Sequence, residues 1–208
     1  LHLHLFDQSK IPLAKKALRK NMGVMAISPA DKGGKLYLPS DILKEASKPY
    51  HPLEIAYRFL LSEGITTLSL GASKPNDFDF PIKLASSTQK LSRLEIDVIT
   101  NIENESNKRL GDTKCEQCRA CLPCPSEIPI PEILRLRNMY IGNGQEEFAK
   151  ERYNLIGRAG HWWETKNANN CMSCNFCIPK CPHNLDIPSL LKETHHLLID
   201  KPKRRLWG

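Results

Sequence analysis

The chain has 208 residues, 40% hydrophobic and 25% charged, which is the balance of a folded globular protein and excludes a disordered one. No stretch approaches the ~18 uncharged apolar residues that a membrane-spanning helix needs. Thirty Lys and Arg against 23 Asp and Glu give +7, a basic balance that points towards nucleic acid until the eight cysteines are counted.

Leu1-His2-Leu3-His4-Leu5-Phe6 alternates, where a secretory signal would be continuously apolar, and reads as a strand. The chain starts without an initiator Met, so it is expected to be a processed or partial product. Ile11–Lys20 reads as an amphipathic helix through Leu13, Ala14, Ala17 and Leu18, and Val24-Met25-Ala26-Ile27 as a second strand. A polar loop from Ser28 to Lys35 contains Gly33-Gly34. Pro52 suits a helix's first turn, where a missing N–H costs nothing, and Leu53, Ile55, Ala56, Phe59 and Leu60 carry the apolar face until Gly64 ends it. A strand over Ile65–Leu70, the loop Gly71-Ala72-Ser73-Lys74-Pro75 and a long helix around Leu91, Leu94, Val98 and Ile102 follow. Short apolar strands alternating with helices imply a parallel sheet whose ligand side lies at the strands' carboxyl ends.

The cysteines fall in two runs, Cys115-x2-Cys118-x2-Cys121-x2-Cys124-Pro125 and Cys171-x2-Cys174-x2-Cys177-x3-Cys181-Pro182. They are too sparse for a disulfide scaffold and too regular to be incidental. A cubane 4Fe-4S cluster has four irons at the corners of a tetrahedron, and a C-x2-C-x2-C loop can supply thiolates to three of them. In two-cluster ferredoxins the last Cys of each run, followed by Pro, ligates the other cluster. That rule pairs Cys115, Cys118 and Cys121 with Cys181, and Cys171, Cys174 and Cys177 with Cys124. The first run is one residue shorter before its last Cys, which sets Cys124 apart. Two structural zinc sites would also use eight thiolates, but they leave the third Cys and the Pro of each run unexplained. Thiolates held on iron favour a reducing compartment, the cytoplasm.

The two copies are offset by 56 residues at the first three cysteines and by 57 from the fourth onward, an internal repeat with one insertion. Each run leads into a helix start, Ile130-Pro131 and Ile187-Pro188. Between them, Ile133, Leu134, Leu136 and Met139 recur at helical spacing before a Gly142-Asn143-Gly144 break, and Phe148, Tyr153, Leu155 and Ile156 follow. This resembles the α-helical ferredoxin type, with Trp162 and Trp163 as candidate shields of a cluster. Residues 111–208 hold 14 Lys and Arg against 11 Asp and Glu, hence +3. Two oxidised clusters on eight thiolates bring −4, so the segment ends near −1. Lys201-Pro202-Lys203-Arg204-Arg205 remains a basic tail, solvated or, as a weaker reading, a nucleic-acid contact.

Gly23-Val24-Met25-Ala26-Ile27-Ser28-Pro29 with Gly33-Gly34, then Ile65-Thr66-Thr67-Leu68-Ser69-Leu70-Gly71-Ala72-Ser73-Lys74-Pro75, resemble the seventh and eighth strands and loops of aldo/keto reductases. The iron–sulfur subgroup with carboxyl-terminal cysteine runs is the most similar. The resemblance implies α/β plus all-α architecture: residues 1–110 as the last part of a (β/α)8 TIM barrel, and residues 111–208 as an α-helical ferredoxin-like domain with two 4Fe-4S clusters. It implies NADP(H), with Ser28, Lys32 and Gly33 near the pyrophosphate and ribose, and Gly71, Ser73 and Lys74 at the adenosine phosphates. It also implies a small carbonyl or alcohol substrate and a ferredoxin-like redox partner, with no membrane. The family's catalytic tetrad comes from the first half of the barrel, so no catalytic residue is assigned to this chain. Leu70 stands where many members have Pro, and Phe78-Asp79-Phe80-Pro81 replaces the usual acidic-Asn helix start.

Overall fold

The structure, a computed structural model, describes residues 1–31, 35–158 and 164–200. Lys32, Gly33, Trp162, Trp163 and the basic tail from Lys201 onward lie outside the described residues. The chain is mostly helical with a small two-stranded sheet, and it divides into two compact units, residues 1–104 and 105–208, the divide falling inside one helix.

In the first unit, Leu1–Leu3 runs beside β1 (Met25–Ile27), with the Ile27 N–H donating to Leu1 O at 2.7 Å and the Leu3 N–H to Ile27 O at 3.3 Å. The expected strand through Phe6 stops there. His4 and Asp7 bridge back on each other, and the Asp7 carboxylate accepts the Ser9 N–H and hydroxyl, so a turn replaces the last strand residues. Helix α1 (Ile11–Arg19) forms as its periodicity predicts. Two short helices carried too little periodicity to be anticipated. They are α2 (Asp41–Ala46), capped by the Ser40 hydroxyl accepting the Leu43 N–H, and α4 (Asp79–Leu84).

Helix α3 (Pro52–Ser62) is the centre of this unit and is buried nearly all round, including Ile55, Ala56, Tyr57 and Leu60 at 1% exposure or less. A helix apolar on all faces belongs in a core. Its one buried cation, Arg58, is fully answered: Nε pairs with Glu95 at 2.8 Å, and the other guanidinium nitrogens donate to the Ser87 and Lys90 carbonyls. Strand β2 (Thr67–Ser69) pairs with β1 in parallel, Met25 with Thr67 through Ile27 with Ser69. The loops after Ile27 and Ser69 therefore leave adjacent strands at the same end. Helix α5 (Arg93–Leu110) starts with a capping box: the Glu95 N–H donates to the Ser92 hydroxyl and the Ser92 N–H to the Glu95 carboxylate.

The second unit packs α6 (Ile130–Asn143), α7 (Glu146–Tyr153) and α8 (Ile187–Leu198) around a core that includes Ile130, Ile133, Leu134, Tyr153 and Leu191. Pro131 and Pro188 sit in the first turns of α6 and α8, as the repeat predicts. Gly144 ends α6 in the left-handed conformation, φ +63°, with its N–H on the Met139 carbonyl. No helix of the described residues is long and apolar enough to cross a membrane.

Candidate metal centre

The two cysteine loops repeat each other in backbone as well as in sequence. Gln117 and Arg119 of the first run and Ser173 and Asn175 of the second all have φ between +52° and +64°, although none is glycine. These positions differ by 56 residues. Glu127 and Asn184, beyond the insertion, share the same conformation at an offset of 57. Left-handed residues alternating with ordinary ones turn successive N–H groups inward, the nest that holds anions and iron–sulfur centres. The N–H of Gln117 already points at the Cys115 sulfur and favours its thiolate.

Each loop is pinned by the helix that follows it. The Asn138 side chain on α6 donates to the Cys115 carbonyl at 2.7 Å and accepts the Cys115 N–H at 3.4 Å. The residue equivalent to Asn138 in the second copy, 57 positions on, is His195 of α8. There the pin has one more link: the Ala168 N–H donates to the Tyr153 hydroxyl, which lies 2.7 Å from His195 Nδ1. Ala168 opens the short 3₁₀ turn Ala168–Asn170 that delivers Cys171. The hydroxyl oxygen accepts from Ala168 and shares a second hydrogen bond with Nδ1, whose direction follows the imidazole tautomer. Burial lowers the His195 pKa, with the neighbouring His196 adding to the effect.

Cys115, Cys118 and Cys121 line one recess, and the fourth cysteine in its wall is Cys181 from the second run. Ile130 and Leu134 form part of its apolar lining. The other three, Cys171, Cys124 and Cys174, lie near Cys177, whose ionisation is opposed by burial first and then by their charges. All eight sulfurs are free thiols. Burial pushes the Cys115 and Cys121 thiols up to about 11, and neighbouring cysteines push in the same direction. Four thiolates can share such a recess only if cationic metal neutralises them, and an all-sulfur set suits iron–sulfur clusters or zinc. A single zinc at ~2.3 Å from each sulfur would draw the four to one point. Here four sulfurs line the wall of one recess, and each C-x2-C-x2-C run offers three thiolates at the spacing a cubane takes. The residues thus fit a polynuclear cluster.

The residues expected at a nucleotide are placed differently. Ser28 follows β1 with φ +60°, and its hydroxyl lies 3.3 Å from His2 Nδ1. Gly71 follows β2 on the exposed surface, where an added Cβ would meet nothing within 4 Å. The N–H groups of Ser73 and Lys74 and the Ser73 hydroxyl all donate to one oxygen of Asp77, at 2.8, 3.1 and 3.1 Å. The donors that a phosphate would need are held by a carboxylate, whose pKa the Ser73 N–H and its neighbours lower. As folded, this loop does not fit a phosphate. One buried polar pair went unnoticed in the sequence: His4 Nε2 lies 3.3 Å from Asp31 Oδ1, both about 1% exposed. Strand alternation would set His4 on the face opposite Leu3 and Leu5, yet all three are buried.

Residues 114–186, about a third of the chain, match the family model of the 4Fe-4S dicluster domain. The segment is an iron–sulfur, ferredoxin-like domain of the 4Fe-4S type. The chemistry of such a domain is electron transfer. No curated protein and no solved structure matches the chain.

Proposed function

We propose that residues 111–208 form a two-cluster electron relay, with Cys115, Cys118, Cys121 and Cys181 holding one 4Fe-4S cluster and Cys171, Cys174, Cys177 and Cys124 the other. The observation that carries this reading is the recess in which Cys181 joins the three cysteines of the first run. When bound, each cluster takes up and releases one electron at a time. The protein's own part is to hold eight thiolates, to aim backbone N–H groups at sulfur, and to keep water from the cluster with residues such as Ile130 and Leu134. The pairing is tested by alanine substitution in protein reconstituted without oxygen, read by iron and sulfide content and by the electron-spin signals of the reduced clusters. Cys118→Ala and Cys181→Ala should erase the same signal, and Cys174→Ala and Cys124→Ala the other. Stoichiometric zinc without sulfide would overturn the reading.

In its finer form the reading makes residues 1–110 the last strands and loops of an aldo/keto-reductase-type barrel. The whole protein would then couple NADP(H)-linked oxidation or reduction of a small carbonyl or alcohol to a ferredoxin-like partner in the cytoplasm. The parallel β1–β2 pair, with both loops leaving at one end, supports it. The Asp77 carboxylate favours a second reading, an electron-transfer subunit that binds no nucleotide. Calorimetry with NADPH and NADP+ separates the two.

A further inference from the structure

The two cysteine loops have the same backbone and the same task, so positions where they differ on the surface are not explained by folding. At the first loop the charged side chains are paired: Lys114 Nζ sits 3.1 Å from Glu116, and Arg119 is hydrogen-bonded to Glu132 at the start of α6, while Cys118 and Ala120 are exposed beside them. At the second loop the equivalents of Glu116 and Ala120 are Met172 and Phe176, which are 70% and 50% exposed. The equivalents of Arg119 and Glu132 are Asn175 and Ser189, so the ion pair is gone too. Cys174 lies between Met172 and Phe176 and is itself exposed. Lys180 places its ammonium 3.8 Å from the Phe176 ring centroid and makes no ion pair among the described residues. An uncharged thioether and an aromatic ring thus stand in water on either side of a ligand sulfur, the ring carrying the Lys180 ammonium on its face.

We propose that the Met172–Phe176 loop is the face on which a one-electron carrier protein docks, one presenting an apolar patch bordered by carboxylate. The proposal rests on the cluster reading above and adds which of the two clusters meets the partner. Desolvating Met172 and Phe176 brings the carrier's redox centre up to the Cys174 sulfur, and Lys180 supplies the charge that steers and registers a carboxylate edge. The first loop, with its closed ion pairs, faces no carrier. In the transfer itself one electron leaves the reduced cluster and reduces the carrier's metal by one unit. No bond is made and no proton moves.

The test uses the full chain with its clusters rebuilt, reduced, and mixed in a stopped-flow instrument with an oxidised blue-copper protein chosen for an apolar face next to carboxylates. The copper goes from Cu(II) to Cu(I) as the cluster is oxidised. The Met172→Gln/Phe176→Ala double variant should lower the second-order rate constant by about tenfold or more, with unchanged rates towards ferricyanide, which needs no docking face. Lys180→Gln should flatten the salt dependence with this carrier and should speed, not slow, a lysine-bordered cytochrome. Glu116→Gln/Ala120→Ser on the first loop should change nothing. An unaffected double variant, an equal loss from the first-loop variants, or a wild-type protein that reduces ferricyanide but not the copper protein would overturn the docking face. A dimer that the double variant dissociates would overturn it in favour of self-association. Absence of iron and sulfide from the wild type would instead overturn the cluster reading.

Discussion

Arg137 on α6 grips Glu193 on α8 through two hydrogen bonds, Nε to Oε2 at 3.0 Å and Nη2 to Oε1 at 3.3 Å, while Nη1 donates to the Thr113 carbonyl at 3.3 Å. One guanidinium thus joins the helices that follow the two cysteine runs and also holds the chain two residues before Cys115. Its side chain is 6% exposed, whereas that of Glu193 is 43% exposed.

Truncating the buried partner should therefore cost more than neutralising the exposed one. Arg137→Ala is expected to lower unfolding stability by about 2–3 kcal/mol, since it leaves a buried void and an unpaired carbonyl. Glu193→Gln, screened by solvent and still able to accept, should cost under about 1 kcal/mol. Urea unfolding of the two variants, followed by circular dichroism, compares them directly.

Gly142 is a glycine for packing reasons. A Cβ there would come 2.5 Å from the Ser106 hydroxyl oxygen and 2.7 Å from a Leu110 methyl carbon, where α6 meets the end of α5. Helix propensity favours alanine by up to ~1 kcal/mol, but Leu110 is 3% exposed and has nowhere open to move. Overpacking costs ~1–3 kcal/mol, so Gly142→Ala should be net destabilising, and the Gly142→Ala/Leu110→Ala double variant should lose less than the sum of the two single losses in thermal melts.

His51 caps α3 by accepting the Leu53 N–H on Nδ1 at 3.2 Å and stacks on Phe80. Burial lowers its pKa below 6.5, with Lys44 acting in the same sense and Glu54 against. The folded state therefore binds fewer protons than the unfolded one just below pH 6.5. The resulting stability is full above that pH and is lost as pH falls towards the lowered folded value. His195 contributes with the same sign. His51→Asn keeps a cap and removes one titration, so the difference in melting temperature between wild type and variant should shrink or reverse between about pH 7.5 and pH 5.

Asp77 decides whether the Gly71–Lys74 loop can take a phosphate. Asp77→Ala frees the Ser73 and Lys74 N–H groups and removes a negative charge. If the nucleotide reading holds, NADPH should bind at least about tenfold more tightly to the variant, one lost repulsion and regained hydrogen bonds being worth roughly a decade. Calorimetry showing no heat with either protein would leave residues 1–110 without a nucleotide role.

Local order was legible in the residues themselves. Pro52, Pro131 and Pro188 announced helix starts, Gly144 a helix end, and the C-x2-C-x2-C spacing two metal loops. Each of these depends on neighbours a few positions away, where backbone geometry and hydrogen bonding are set by residue type. Helices α2 and α4, each of six residues, were missed because they show less than two full turns of pattern. The strand expected through Phe6 gave way to a turn because the His4 and Asp7 backbones bond to each other, with the Asp7 carboxylate fastening the turn to Ser9.

What the amino-acid order settled alone was the donor chemistry, eight thiols in two copies of one loop, because ligand type and spacing are properties of the chain. Three-dimensional folding brought together residues far apart in the chain: Cys181 and Cys115, Arg137 and Glu193, and His4 and Asp31. Two of these partnerships span more than fifty residues, and none follows a helical or strand period. They form only where packed helices and paired strands bring distant segments together, since the burial that selects each contact belongs to the whole unit rather than to any stretch of sequence.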